Sequence, residues 1–409
     1  MTHRVVITGM SGLCPLGKTW AEVRENLWGK RSAVRKMEGW DHVAGLQTRL
    51  GAAVPDFDRP SHYSRKKVRT MGRVSLLATR ATELALEDAG LLDHPVLGSG
   101  RAGISYGSTS GSPPAIELYA RQITVNQTLA GVTAAQYIKF MSHTVAANLA
   151  QFFGVRGRLI PTCSACTSGS QGIGYAYEAI KYGRQDVMIA GGAEELHLLA
   201  AAVFDIMYAT STRNEDPETT PRPFDVDRDG LVVGEGAGTL ILESLEHAEA
   251  RGAEIIAEIA GWGTNCDGLH IVNPSVEGMS AVMELALADA GVNREEIDFV
   301  NAHGTATEVG DVAESRATRK VFDRAMPIGS LKSYMGHTLG ACGALEAWMG
   351  IHMLNENWLA PNLNLDRVDP ECAELDYLRE VRETELRQVM TNNFAFGGVN
   401  TSIILRKWR

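Results

Sequence analysis

Short apolar runs alternate along this chain with longer stretches in which apolar residues recur every three or four positions. The runs at 5–8, 103–106, 158–161, 187–190, 240–242, 255–259, 299–301, 328–330 and 401–405 predict strands. The stretches at 74–89, 134–152, 174–181, 281–290 and 345–354 carry helical spacing. Alternation of this kind predicts an α/β protein whose sheets are covered by helices. No low-complexity linker or block of like charge interrupts it.

The pattern also repeats. Cys166-Thr167-Ser168-Gly169-Ser170-Gln171-Gly172 shares the frame x-Thr-x-Gly-x-x-Gly with the segment from His337 to Gly343. The helical segment from Glu83 to Gly90 recurs, with one change, from Glu284 to Gly291. A weaker echo links the strands at 236–242 and 399–405. Echoes in the same order predict a duplication, with one half at 1–250 and the other at 251–409. The segments opening at Cys166 and His337 are dense in glycine, which costs a helix about 1 kcal/mol per residue against alanine. Close approach of two central helices, or of helix and sheet, is a sufficient reason.

Composition narrows the classes. With 409 residues and 44% hydrophobic content, a substantial core is available. A net charge of -10 argues against general affinity for nucleic acid or anionic membrane. The first residues read as a strand entering a glycine turn rather than a signal peptide, and no apolar stretch approaches the ~20 residues that span a bilayer. Six scattered cysteines form no disulfide framework, so a reducing cytoplasm is the expected location.

Candidate chemistry centres on Cys166, expected where a strand turns into a helix. The unpaired N–H groups and dipole of a helix start are expected to lower its thiol pKa from about 8.5. His303, after the strand at 299–301, and His337 sit at junctions flanked by glycine, where α/β proteins place functional groups. The frame pairing of Cys166 with His337 would bring sulfur and imidazole together and implies covalent catalysis. Hydroxyls at Thr305 and Thr307 suit a polar ligand such as a carboxylate or an amide. Cys163-Ser164-Ala165-Cys166 leaves a second reading, a redox pair or half of a metal site. The stretch from Asp225 to Gly230 opens like a calcium loop, but its twelfth position is Gly236 rather than an acid. The glycine runs lack the full dinucleotide-binding pattern.

Four motifs together resemble the condensing β-ketoacyl-(acyl-carrier-protein) synthases. These are Ala165-Cys166-Thr167-Ser168-Gly169, Asn301-Ala302-His303-Gly304-Thr305, Lys332-Ser333 with Gly336-His337, and Asn393-Phe394-Ala395-Phe396-Gly397-Gly398. The resemblance covers the full chain and includes Arg222-Pro223-Phe224-Asp225, which explains the calcium-like run. It implies the thiolase fold, a five-layered αβαβα arrangement of two related halves, usually dimeric. The Cys–His–His set is similar to the elongating class; initiating members use Cys–His–Asn, and thiolases a second catalytic cysteine. Cys166 would accept an acyl group from the carrier, and His303 and His337 would polarise a malonyl thioester and assist loss of CO2. The amides of Cys166 and Phe396 would bind the oxyanion, with Phe396 as gatekeeper. Lys332, held by Glu346, would organise the histidines; Thr305, Thr307 and Phe394 would line the substrate channel, and Asp311 would lend support. No metal or organic cofactor is implied beyond the carrier's phosphopantetheine arm.

The resemblance implies an acidic acyl carrier protein as partner, and Lys66, Arg69 and Arg213 are the expected docking residues. A homodimer, or a heterodimer with a chain-length-factor-like subunit, is expected. Cys163, Glu308 and Ala395 depart from the housekeeping pattern, which leaves open fatty acid, polyketide or aryl polyene synthesis. The floor of the acyl pocket, where side chains meet across a dimer, is expected within 111–140.

Overall fold

The computed structural model describes residues 2–409. In chain order the elements that build the site are β1 (Val5–Leu13), α1 (Arg73–Asp88), β2 (Ala102–Gly107), α2 (Thr144–Phe153), β3 (Leu159–Thr162), α3 (Ser168–Lys181), β4 (Val187–Glu194) and β5 (Gly236–Ser244). The second half supplies β6 (Ala257–Cys266), α4 (Val276–Ala290), β7 (Phe299–Asn301), α5 (Glu308–Phe322), β8 (Pro327–Gly329), α6 (Cys342–Glu356), β9 (Gln388–Ala395) and β10 (Val399–Lys407).

The first five strands run in the order β3-β2-β4-β5-β1, and the second five in the matching order β8-β7-β9-β10-β6. In each half the outer three strands are parallel and the inner pairings antiparallel. The halves join through β1 and β6, where Val5 faces Ile259 and Ile7 faces Ala257. Every residue of β1, β4 and β5 is buried, because helices cover both faces. Helices α3 and α6 each touch strands of both halves and form the middle layer. Outside them, α1 and α2 cover the first half, while α4 covers the second with α5 packed against it. The five-layered duplicated fold is therefore the observed one.

The glycine density finds its reason in the middle layer. A Cβ on Gly169 would lie 2.8 Å from Gly340 O, and one on Gly343 would lie 2.8 Å from Ser170 N. The central helices touch main chain to main chain.

Several expectations need correction. The helical stretch at 134–152 is two helices, Ala134–Phe140 and α2, because Met141 takes an extended ψ of 143°. Strand β6 begins two residues later than the sequence pattern suggests and runs on to Cys266. Strand β9 was not predicted at all. Its run contains Asn392 and Asn393, residues poor in β propensity, which packing buries regardless.

The repeat frame also shifts. Ala165 and Leu339 share a left-handed φ, +49° and +47°, and each opens a one-turn 3₁₀ segment leading into a central helix. Structurally, then, Cys166 matches Gly340 rather than His337, three residues from the sequence frame. The echo between 236–242 and 399–405 needs no shift, since β5 and β10 begin at Gly236 and Val399.

Candidate functional site

Cys166 sits on a strained turn. A left-handed, non-glycine residue costs about 1 kcal/mol or more, and hydrogen bonds around Ala165 hold it there. Ser164 N donates to Ser168 Oγ at 2.9 Å, and that hydroxyl donates to Ala165 O at 2.7 Å. The turn leaves Cys166 buried at the start of α3, on the wall of a cavity of about 400 Å³.

His337 reaches the same point from the second half, with Nε2 2.9 Å from Cys166 Sγ. Its Nδ1 accepts the Leu339 N–H at 3.3 Å. A neutral imidazole carries one proton, so this acceptor role assigns the proton to Nε2. His337 is a donor aimed at the sulfur. The His303 ring stands at 88° to it with centroids 5.1 Å apart, and His303 Nδ1 is buried without a hydrogen-bond partner among the described residues.

Burial drives both imidazoles well below their ordinary pKa, and the Lys332 charge adds to the effect. Both rings are neutral donors at physiological pH. Burial would also favour neutral Lys332, but the Glu346 carboxylate to which it donates holds its pKa up. Glu346 accepts a further bond from Asn393 Nδ2 at 2.8 Å. The expectation for the thiol reverses: burial pushes Cys166 up to about 12, against the opposing Lys332 charge and its own amide. The helix end is not enough to make a resting thiolate in so dry a place.

The remaining expected residues fall into two groups. Thr305, Thr307, Phe394 and Phe396 line the cavity with the three catalytic candidates. The hydroxyls of Thr305 and Thr307 lie 3.0 Å apart, and the Phe394 ring is 6.1 Å from His303. Asp311 accepts the Phe224 N–H at 2.7 Å and the Ala306 N–H at 3.1 Å, pinning the loop that carries Thr305. Lys66, Arg69 and Arg213 line neither cavity. Lys66 and Arg69 are exposed, whereas Arg213 donates to Asp227 O at 2.7 Å and lies 3.5 Å from Asp229.

A second cavity of about 300 Å³ opens on the other side of Cys166. Gly111, Ile116 and Phe140 line it, within the expected 111–140 span, and so do Leu199 and Val203. Phe396 and Phe204 border both cavities, and their rings lie 5.4 Å apart.

Glu314 was missed from the sequence. Its buried carboxyl accepts the N–H groups of His303 at 2.8 Å and Gly304 at 2.7 Å, so it fixes the histidine's loop. Its place one helical turn after Asp311 on α5 was the available signal.

The Cys-x-x-Cys reading fails on geometry. Cys163 is exposed and donates to Thr109 O at 3.0 Å, Cys166 is buried against His337, and all six cysteines are free. The donor atoms of Cys166, His303 and His337 lie within 4.8 Å of one another, close enough to hold a metal. The Leu339 N–H on Nδ1 keeps a proton on His337 Nε2, however, and a protonated nitrogen is no ligand.

Comparison with known proteins agrees with this geometry. Residues 2–248 match the family model "Beta-ketoacyl synthase, N-terminal domain", and residues 256–366 match "Beta-ketoacyl synthase, C-terminal domain". The chain is 38% identical to 3-oxoacyl-[acyl-carrier-protein] synthase 2 of Vibrio cholerae, covering 99% of both chains. A crystal structure of a β-ketoacyl synthase from Burkholderia phymatum superposes with a TM-score of 0.97 at 55% identity, covering 100% of each chain. The ishigamide ketosynthase/chain length factor superposes with a TM-score of 0.92 at 33% identity, again over 100% of each. Matches over this length, around a sulfur and two imidazoles in one buried cavity, establish that the chain belongs to the β-ketoacyl synthase family.

Proposed function

We propose that this chain is a 3-oxoacyl-(acyl-carrier-protein) synthase of the elongating kind, an acyltransferase that lengthens a carrier-bound acyl chain by two carbons. The observation that carries the reading is the His337 Nε2 donor 2.9 Å from Cys166 Sγ, with a second neutral imidazole beside it.

In the first step Cys166 Sγ attacks the acyl thioester carbonyl. The new S–C bond replaces the bond to the carrier's thiol, which leaves with the proton that Cys166 gives up. The amides of Cys166 and Phe396 bind the oxyanion. One such donor is typically worth about 3–4 kcal/mol of barrier. The acyl chain then lies in the cavity lined by Ile116, Phe140 and Val203, behind the Phe204–Phe396 pair.

A malonyl carrier next places its thioester in the larger cavity, its arm passing Thr305 and Thr307. Breaking the C–C bond releases CO2 and leaves an enolate, whose oxygen takes hydrogen bonds from His303 and His337. Neutral rings suit this task, since a protonated imidazole beside Lys332 would be disfavoured. The enolate carbon attacks the Cys166 thioester, the C–S bond breaks, and the 3-oxoacyl product leaves on the second carrier. The Cys166 thiolate takes up a proton from solvent to return to the resting thiol. Lys332 and Glu346 keep the histidines' surroundings fixed rather than exchanging protons. The phosphopantetheine arm comes with the carrier, so the chain's own residues supply the rest.

The carrier docks on the exposed cations at Lys66 and Arg69, with Arg213 in a lesser role because Asp227 and Asp229 engage it. A second chain, identical or of chain-length-factor type, covers the exposed Leu118, Val125, Leu129 and Tyr137 and the open edge of β3. Free cysteines and the lack, among the described residues, of any helix long and apolar enough to cross a membrane support a cytoplasmic setting. The pathway is fatty acid or related polyketide or aryl polyene synthesis.

The test is mass spectrometry of products from a panel of acyl carriers with malonyl carrier. The expected product is a 3-oxoacyl carrier two carbons longer, with the unextended acyl group found transiently on Cys166. Absence of any extended product across the panel sinks the assignment.

A further inference from the structure

We infer that Glu194 is a positioning residue which holds the His337 donor in place and links it to the wall of the acyl cavity; the inference rests on the reaction proposed above. Glu194 ends β4 and is 2% exposed. A single oxygen, Oε2, accepts three hydrogen bonds: Thr109 N at 3.1 Å, Thr109 Oγ1 at 2.7 Å and Gly340 N at 3.0 Å. Gly340 follows Leu339, whose N–H sets the tautomer of His337. The carboxylate of one half therefore ties down the turn of the other half that aims the donor.

Four further observations point the same way. Glu194, Thr109 and Leu339 all line the acyl cavity beside Cys166, so a chain bound there touches the same hub. No cation pairs with Glu194 among the described residues, so ion pairing is not the reason for a carboxyl at this depth. Burial without a cation pushes its pKa up to about 7, a cost that a purely structural glutamine or apolar residue would avoid. Finally, a Cβ on Gly340 would lie 2.7 Å from Thr109 N and 2.9 Å from Oε2, so the turn sits against the same Thr109–Glu194 pair that makes and accepts these bonds.

The experiment compares wild type, Glu194→Gln and Glu194→Asp in two half-reactions, with melting temperature measured alongside. Loading of Cys166 from an acyl carrier is read by intact-protein mass, and decarboxylation is read as CO2 released from malonyl carrier. The Gln side chain keeps the volume and can keep its amide oxygen at the Oε2 position, but as a neutral and so weaker acceptor of the same three bonds. The expected result is a fall of about tenfold in kcat for CO2 release with KM unchanged, the range of changes that disturb an orienting partner. Loading falls less than CO2 release does, and Asp restores part of the loss. Should Glu194→Gln fail to fold, Thr109→Val removes one of the three bonds alone, with an expected fall of about threefold in CO2 release. Parallel loss of both half-reactions with the melting temperature overturns the positioning role. A wild type that releases no CO2 sinks the condensation itself. A wild type that does so, matched by Glu194→Gln, sinks only this inference.

Discussion

Two turns with one backbone do different work. The turn at Ala165 and the turn at Leu339 share a left-handed residue, one 3₁₀ turn and a central helix. At the matching position the first carries Cys166 and the second Gly340. The glycine position has no room for a side chain, because a Cβ would meet Thr109 N at 2.7 Å and Glu194 Oε2 at 2.9 Å. The second half instead sends His337, three residues earlier, across to the sulfur. Duplication supplied two helix ends at one centre; chemistry then required that they differ. One end keeps the nucleophile, and the other surrenders its equivalent position so that a proton donor can face it.

The largest effect should come from removing the feature unique to the first turn. Cys166→Gln should abolish condensation, by about 10⁴-fold or more, while malonyl decarboxylation survives or rises because the amide imitates an acylated thiol. Retained chain extension in that variant would end any special status for the first turn.

The second turn is tested by filling it. Gly340→Ala should destabilise the fold by about 1–3 kcal/mol, from overpacking against Thr109 and Glu194, and reduce CO2 release more than Cys166 loading. Denaturant titration reads the first effect and the paired half-reactions the second. An alanine tolerated without cost would mean that the glycine is an accident of ancestry.

The neutral histidines give a pH test with a definite sign. Their folded pKa lies below the unfolded value near 6.5, so the unfolded state binds more protons as pH falls. The histidines' contribution to stability should drop as pH falls through about 6.5. It is opposed by the buried carboxyls Glu194, Asp311 and Glu314, whose raised pKa values favour the fold as pH falls. His303→Gln should remove part of the histidine contribution. Melting temperatures between pH 5 and 8 decide the matter; an unchanged slope in the variant removes His303 as its source.

The smallest effect lies farthest from either turn. Lys66→Glu with Arg69→Glu should raise KM for carrier-bound substrate severalfold, more at low salt, with kcat kept. Salt-independent kinetics identical to wild type would take the patch out of the docking surface.

How much of this was legible in sequence varied with the physics behind each residue. Strand β7 was read residue for residue, since its apolar run is bounded by polar breaks. Strand β9 was hidden by Asn392 and Asn393, whose burial is decided by neighbours rather than by local preference. The convergence of Cys166, His303 and His337 followed from motifs, but the repeat frame that first suggested it was three residues out of register. Only the left-handed φ at Ala165 and Leu339 sets it right, and no composition rule announces that. The thiol's pKa was misjudged because the helix end is visible in sequence while the dryness of the cavity is not. Glu314 and Glu194 escaped notice because they act through backbone N–H groups, which leave no trace in the identity of the partner residue.

The contact between α3 and α6 leaves less clearance than a methyl group at Gly169 and Gly343. Spacing between the reacting atoms is thereby a property of main chain, insulated from changes in the side chains around them. Evolution can recarve the walls at Ile116, Phe140 or Val203 to suit a new cargo without retuning the bond-making centre. A scaffold so divided is free to diversify its products while its chemistry stands still.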